Sequence, residues 1–171
     1  MKNEIKLGIM SILLCGCTMS QSALNYSNGS DCLARGDYKD AIPYFEECVK
    51  LGPNMSLNQN NLACAYEAED HIDKAWGHSR IAVRSPPYNE EAFVTFKQIY
   101  FQMLKKNSLA KEGIAMKVVK EKLGEPDETS TMHSGDRLVY GVAALDFKDQ
   151  KLVSYERFIS PPYMRGGLYE H

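Results

Sequence analysis

Along Asn89–Lys106, NEEAFVTFKQIYFQMLKK, the large apolar residues Phe93, Phe96, Tyr100 and Met103 return every three or four positions. That interval keeps them on one face of an α-helix, so an amphipathic helix is predicted here. Leu62, Ala63 and Tyr66 recur in the same way earlier in the chain. Further on, GIAMKVVKEKLGEP reads as a helix that stops at Gly124, with Pro126 just beyond to prevent its continuation. Past this stop the interval changes to two. Leu145 and Phe147, then Leu152, alternate with polar neighbours as half-buried strands do, and three short strands from about Glu128 to Phe158 are predicted, in a meander.

A longer period lies over the helical half. Gly36 and Asp70, Tyr38 and Ile72, Ala41 and Ala75, Ile42 and Trp76, Cys48 and Ala82, and Pro53 and Pro87 all pair at one ungapped spacing of 34 positions. With Gly29, Ala63, Phe45, Leu62 and Tyr66, these positions resemble the tetratricopeptide repeat. The resemblance implies antiparallel helical hairpins, residues 22–55 and 56–89, followed by a capping helix at 90–106. The small residues Gly29, Ala41, Cys48, Ala63, Ala75 and Ala82 would let neighbouring helices approach closely, and each proline would stop a second helix. Asn25 and Asn28 depart from the pattern, standing where bulky apolar residues are preferred. Leu109 falls where a third unit needs its small residue, so the array is expected to hold two full repeats. So short a stack needs a neighbour to bury its last face.

The beginning of the chain follows another rule. Lys2 and Lys6 precede LGIMSILL, an apolar run of about eight residues, which suits a signal peptide and is too short to span a bilayer. Leu14-Cys15-Gly16-Cys17 closes it and resembles the bacterial lipobox, in which the final cysteine receives the lipid. Residues 1–17 would then be a lipoprotein signal, with Cys17 lipidated and palmitate among its acyl chains. Thr18 after the cysteine, in place of an aspartate, points under the family's sorting rule to the outer membrane, facing the periplasm. An acylated N-terminus would tether the folded part to a membrane without embedding it.

Gly113, Ile114, Val119, Leu123, Gly124, Pro126 and Asp127 together resemble the BamE/OmlA-type domain of small outer-membrane lipoproteins. This resemblance covers 113–158 and implies a helix followed by a β meander. Ala115 departs from it, since a Thr or Ser able to cap the helix is preferred there. An open alternative makes 107–123 the second helix of a third repeat. Residues 159–171, with prolines and glycines and no periodicity, are expected to form a flexible tail. The fold class expected is therefore mainly α, with antiparallel helical hairpins in an α-α superhelix, then a helix and a three-stranded antiparallel meander.

Composition narrows the chemistry. The 171 residues carry a formal net charge of -2, with 20 basic and 22 acidic side chains, which offers no basic excess for nucleic acid. His71, His78, His133 and His171 are scattered without metal-ligand spacing, and no nucleophile elbow, phosphate loop or zinc-protease motif occurs. Glu46-Glu47 and Glu90-Glu91 are adjacent residues that a helix points apart. No catalytic residue, metal ligand or cofactor is expected, apart from the covalent lipid on Cys17. Cys32, Cys48 and Cys64 would remain in an oxidising compartment, and which of them pair stays open.

What remains is surface. In the tetratricopeptide resemblance the first helices line an inner face, here Tyr26, Ser30, Leu33, Asn60, Cys64, Glu67, Val94, Gln98 and Phe101. That face holds one acid and no bases, and suits a peptide segment held by aromatic anchors and amide hydrogen bonds. The expected function is a non-enzymatic adaptor or scaffold in envelope biogenesis, gripping periplasmic or outer-membrane proteins in outer-membrane protein assembly, secretion or pilus assembly, or control of cell-wall enzymes. A structural envelope lipoprotein without mobile clients is the alternative, and a cell-wall hydrolase is a third class.

Overall fold

The computed structural model describes residues 21–164, and Cys17 and the signal segment lie outside them. Six helices lead into a four-stranded antiparallel sheet, a mixed α/β architecture in which helices predominate. The helices are α1 (21–35), α2 (Tyr38–Leu51), α3 (Ser56–Ala68), α4 (Ile72–Arg84), α5 (Glu90–Lys106) and α6 (Met116–Leu123). The strands are β1 (Glu128–Met132), β2 (Gly135–Tyr140), β3 (Ala143–Lys148) and β4 (Lys151–Phe158).

Successive helices α1 to α5 run antiparallel, and contacts between opposite ends show it. Cys48 near the end of α2 meets the carbonyl of Ser22 at the start of α1. Ser56 at the start of α3 donates to the carbonyl of Ala82 near the end of α4 at 2.9 Å, and Lys106 at the end of α5 pairs with Asp73 at the start of α4 at 2.8 Å. Small residues make the approach possible. Ala41, Ala63, Ala75 and Cys48 are fully buried, and Ala82 nearly so. A Cβ built on Gly29 would come within 2.9 Å of the Phe45 ring, so any larger residue there would push α1 away from α2. Asn89 caps α5 by accepting from the backbone N–H of Ala92 at 3.3 Å.

The sheet has four strands, one more than the alternation suggests, in the order β1-β2-β3-β4. Two features of the chain account for the extra strand. The run RLVYGVAALDF is cut in two: Tyr140 pairs with Ala143, and Gly141, at φ +61°, turns between them. β1, ETSTM, is polar and largely exposed, so it carries no alternating apolar signal. Gly135 opens β2 at φ +136°, where a Cβ would stand 1.9 Å from the Phe147 carbonyl oxygen, and only glycine fits. The β3–β4 turn places both Asp149 and Gln150 at positive φ, as a tight hairpin with two central residues requires.

Helices and sheet share one core. Trp76 of α4 stacks on Phe96 and Tyr100 of α5, with centroids 5.7 and 6.1 Å away, and tilts against Tyr140 of β2 at 6.1 Å. Phe158 at the end of β4 sets its edge against Phe93, Phe96, Tyr100 and Phe101. The sheet thus covers one face of α4 and α5. Helix α6 belongs with the sheet by backbone bonding: Gly113 N–H donates to Leu152 O, Leu152 N–H to Ile114 O and Met116 N–H to Gln150 O, at 2.7 to 2.8 Å. Ile159 donates to Val142 O, Pro161 is buried, and Pro162–Met164 forms a 3-10 turn.

Candidate functional site

The residues expected on an inner face fall on three helices, in stripes of seven-residue span: Tyr26 and Leu33 on α1, Asn60, Cys64 and Glu67 on α3, and Val94, Gln98 and Phe101 on α5. Side-chain bonds bring the last two stripes together. Cys64 Sγ lies 3.5 Å from Thr95 Oγ1, and Glu67 Oε1 accepts from Gln98 Nε2 and from Gln102 Nε2, each at 2.6 Å. Both contacts advance in the same direction on the two helices, so α3 and α5 lie side by side and parallel.

The stripes differ in what they offer. Val94 is 58% exposed and Phe101 39%, and Gln98 is exposed between them. Tyr26 is half-buried with its ring edge-on to Phe45 at 6.1 Å, and Leu33 packs against the core, so much of the α1 stripe is taken up by its own hairpin. Asn60 is buried, and its Oδ1 has no hydrogen-bond partner among the described residues. Such an oxygen is costly to bury.

Electrostatically this face is quiet. Glu67 is its one carboxylate, and two amides already hold one of its oxygens. Burial pushes the Cys64 thiol up and so favours its neutral form, while the Thr95 hydrogen bond acts the other way. Cys32, Cys48 and Cys64 are all free thiols. The face therefore offers apolar anchors and amide groups around one hydrogen-bonded carboxylate, Glu67. Among the described residues no group of three or more His, Cys, Asp and Glu could hold a metal ion.

Two polar clusters escaped the sequence reading. One joins α4 to the sheet. Arg80 Nε donates to Asp127 Oδ2 at 2.9 Å and Arg80 Nη2 to Glu125 O at 2.8 Å, while its guanidinium lies over the rings of Trp76 and Tyr140. The same Asp127 oxygen accepts from Gly141 N–H at 2.6 Å, and Arg84 Nη1 donates to Glu128 Oε1 and to Gly141 O. Trp76 Nε1 donates to Leu123 O and the Tyr140 hydroxyl to Gly124 O. The stripe Trp76, Arg80, Arg84 on α4, facing adjacent acids after LGEP, was the available signal. The other cluster lies between α2, α3 and α4. There Tyr66 donates to Glu46 and stacks on His78, whose Nδ1 meets Gln59 Oε1 at 2.7 Å. Burial and the bond to Glu46 push the Tyr66 phenol up to about 12.

No protein-family model matches this chain. A search of curated proteins likewise finds no significant match. The functional reading therefore rests on residues and geometry.

Proposed function

We propose that this protein is a lipid-anchored periplasmic adaptor, attached through Cys17 to the outer membrane and gripping a protein partner on the α3–α5 face. In this reading α1–α2 and α3–α4 are two tetratricopeptide-type hairpins, α5 is the capping helix, and α6 with the sheet is a BamE/OmlA-like module. The 34-residue spacing supports it, because Ala41 with Ala75 and Cys48 with Ala82 occupy equivalent buried positions in consecutive hairpins. The observation that carries the partner site is the exposed stripe of Val94, Gln98 and Phe101 beside Glu67. Apolar side chains left in water between amides suit an extended or helical peptide, whose main chain bonds the amides and whose side chains cover Val94 and Phe101. The tether contributes by holding both partners at one membrane, which raises their effective concentration.

The test is a photo-crosslinking residue introduced at Val94 in cells, with exposed Lys39 on α2 as the control. A discrete adduct at Val94 and none at Lys39 is expected; equal or absent adducts at both sites reject the face. Several substoichiometric adducts describe an adaptor, whereas a single stoichiometric machine describes a structural envelope protein. Acyl labelling that persists in Cys17→Ala rejects the lipid anchor.

A further inference from the structure

Between the start of α3 and the loop entering α5 lies an open cleft of about 560 Å3, walled by Met55, Leu57, Pro87 and Tyr88 and rimmed by Glu90 and Glu91. Met55 is 53% exposed, Tyr88 50% and Leu57 38%, so large apolar surface is gathered in one place. Covering these side chains would remove apolar surface from water. Glu90 and Glu91 are exposed, and neither pairs with a cation among the described residues. Their place in the first turn of α5 suits the helix dipole. It leaves two negative charges facing outward at the cleft's edge.

The described chain ends beside this cleft. Phe158 closes β4 against Phe93 near the start of α5, at 5.8 Å, and the chain then runs through buried Pro161 to the 3-10 turn at Pro162–Met164. Tyr163 in that turn comes close enough to Tyr88, in the cleft wall, for the two phenols to interact electrostatically. Beyond Met164 follow Arg165, Gly166, Gly167, Leu168, Tyr169, Glu170 and His171. Seven residues reach at most about 23 Å when extended, ample to cross a cleft whose wall is already adjacent.

We propose that this C-terminal segment docks into the cleft of its own chain, with Arg165 pairing with Glu90 and Glu91 and with Leu168 and Tyr169 covering Met55, Leu57 and Pro87. The order of residues suits the path. The cation comes first, where the chain leaves Tyr88 and the two acids stand next to it in sequence. Gly166 and Gly167 supply the bend. The apolar pair Leu168 and Tyr169 follows the bend, where the apolar walls are. The proposal is independent of the α3–α5 face: either can fail without the other.

Methionine-methyl NMR of the full chain tests it, with Met55→Leu assigning the Met55 signal and buried Met103 reporting the integrity of the fold. Removing Arg165–His171, or substituting Tyr169→Leu, is expected to shift the Met55 methyl while leaving Met103 in place. Arg165→Glu should reproduce most of that shift, and adding Glu90→Arg with Glu91→Arg should reverse it. A Met55 signal that ignores removal of the segment overturns the proposal. So does a tail-dependent Met55 shift that fades on dilution, which would assign the cleft to the tail of a second copy. A Met55 signal that responds to a partner peptide and never to the tail overturns it as well.

Discussion

The contact between α4 and the sheet and the face formed by α3 and α5 are both built from aromatic residues and polar groups, yet they do opposite things with them. At the α4–sheet contact every polar group is answered. Arg80 of α4 pairs with Asp127, Trp76 Nε1 donates to Leu123 O at the end of α6, the Tyr140 hydroxyl donates to Gly124 O, and Arg80 also lies over two rings. On the α3–α5 face Val94 and Phe101 remain in water, and Asn60 Oδ1 has no partner among the described residues. Paired polar groups hold a joint together, whereas the exposed side chains of the α3–α5 face are left for the partner we propose.

The sharpest way to break this contrast is Trp76→Ala. Trp76 is 5% exposed and touches α5, the sheet and the LGEP loop together, so its loss should cost about 3–5 kcal/mol, the usual range for a buried aromatic cut to alanine. Chemical denaturation followed by both tryptophan-independent circular dichroism and tyrosine fluorescence should show helices and sheet lost in one transition. Two separated transitions would mean that the sheet is a separable appendage.

Asp127→Ala addresses the polar half of the joint. It strands Arg80 Nε and the Gly141 N–H together, and the expected cost is about 2–3 kcal/mol, in the range for hydrogen bonds to a charged group. The Arg80 side chain is 16% exposed and that of Asp127 24%, so water can partly replace the lost contacts. Arg80→Leu with Asp127→Ala should cost less than the sum of the single changes, which a double-mutant cycle would read.

Val94→Ser is the matching change on the other region. With its side chain mostly in water, the expected effect on stability is about 0.5 kcal/mol or less. The crosslinked partner, in contrast, should be lost. A large destabilisation would show that this face belongs to the core and is no surface for a partner.

The same contrast explains which parts of the molecule could be read from the chain. Ala41, Ala75, Cys48 and Ala82 were legible because close helix approach demands small residues at fixed intervals, and an interval survives in a sequence. Gly124, at φ +82°, was legible as a helix stop for a similar local reason. β1 was not, because ETSTM sits at the sheet edge with both faces wet and has no alternation to detect. Nor were Asn58, Gln59 and Asn60, polar letters that read as surface and are buried, since two of them find partners only in the fold: Asn58 reaches Cys48 O, and Gln59 reaches Pro53 O and His78. The joint was missed for the same cause. Arg80 and Asp127 are 47 residues apart, and only the tertiary structure brings them to 2.9 Å. Of the expected partner residues, Glu67 and Gln98 meet across α3 and α5, while Tyr26 and Leu33 are drawn into packing because Gly29, with no side chain, lets α1 settle onto Phe45.

The smallest expected effect tests the buried cluster through pH. Burial lowers the pKa of His78 below its ordinary 6.5; Lys74 acts in the same direction, and Glu46 opposes both. Burial takes the ring out of water and Tyr66 stacks on its face at 5.6 Å, so the fold favours the neutral imidazole. Above pH 6.5 the ring is neutral both in the folded and in the unfolded chain, and its contribution is fully present. As pH falls below 6.5 the unfolded chain takes up the proton first, so stability declines until the folded pKa is passed. His78→Gln should flatten this limb of the stability curve below about pH 6.5, as read by denaturation midpoints at successive pH values. Gln59 Oε1 accepts from Nδ1–H, and more strongly from the protonated ring, so a Gln59→Leu change should deepen the decline. A decline that is unchanged by Gln59→Leu assigns the selection to burial and the Tyr66 stack alone.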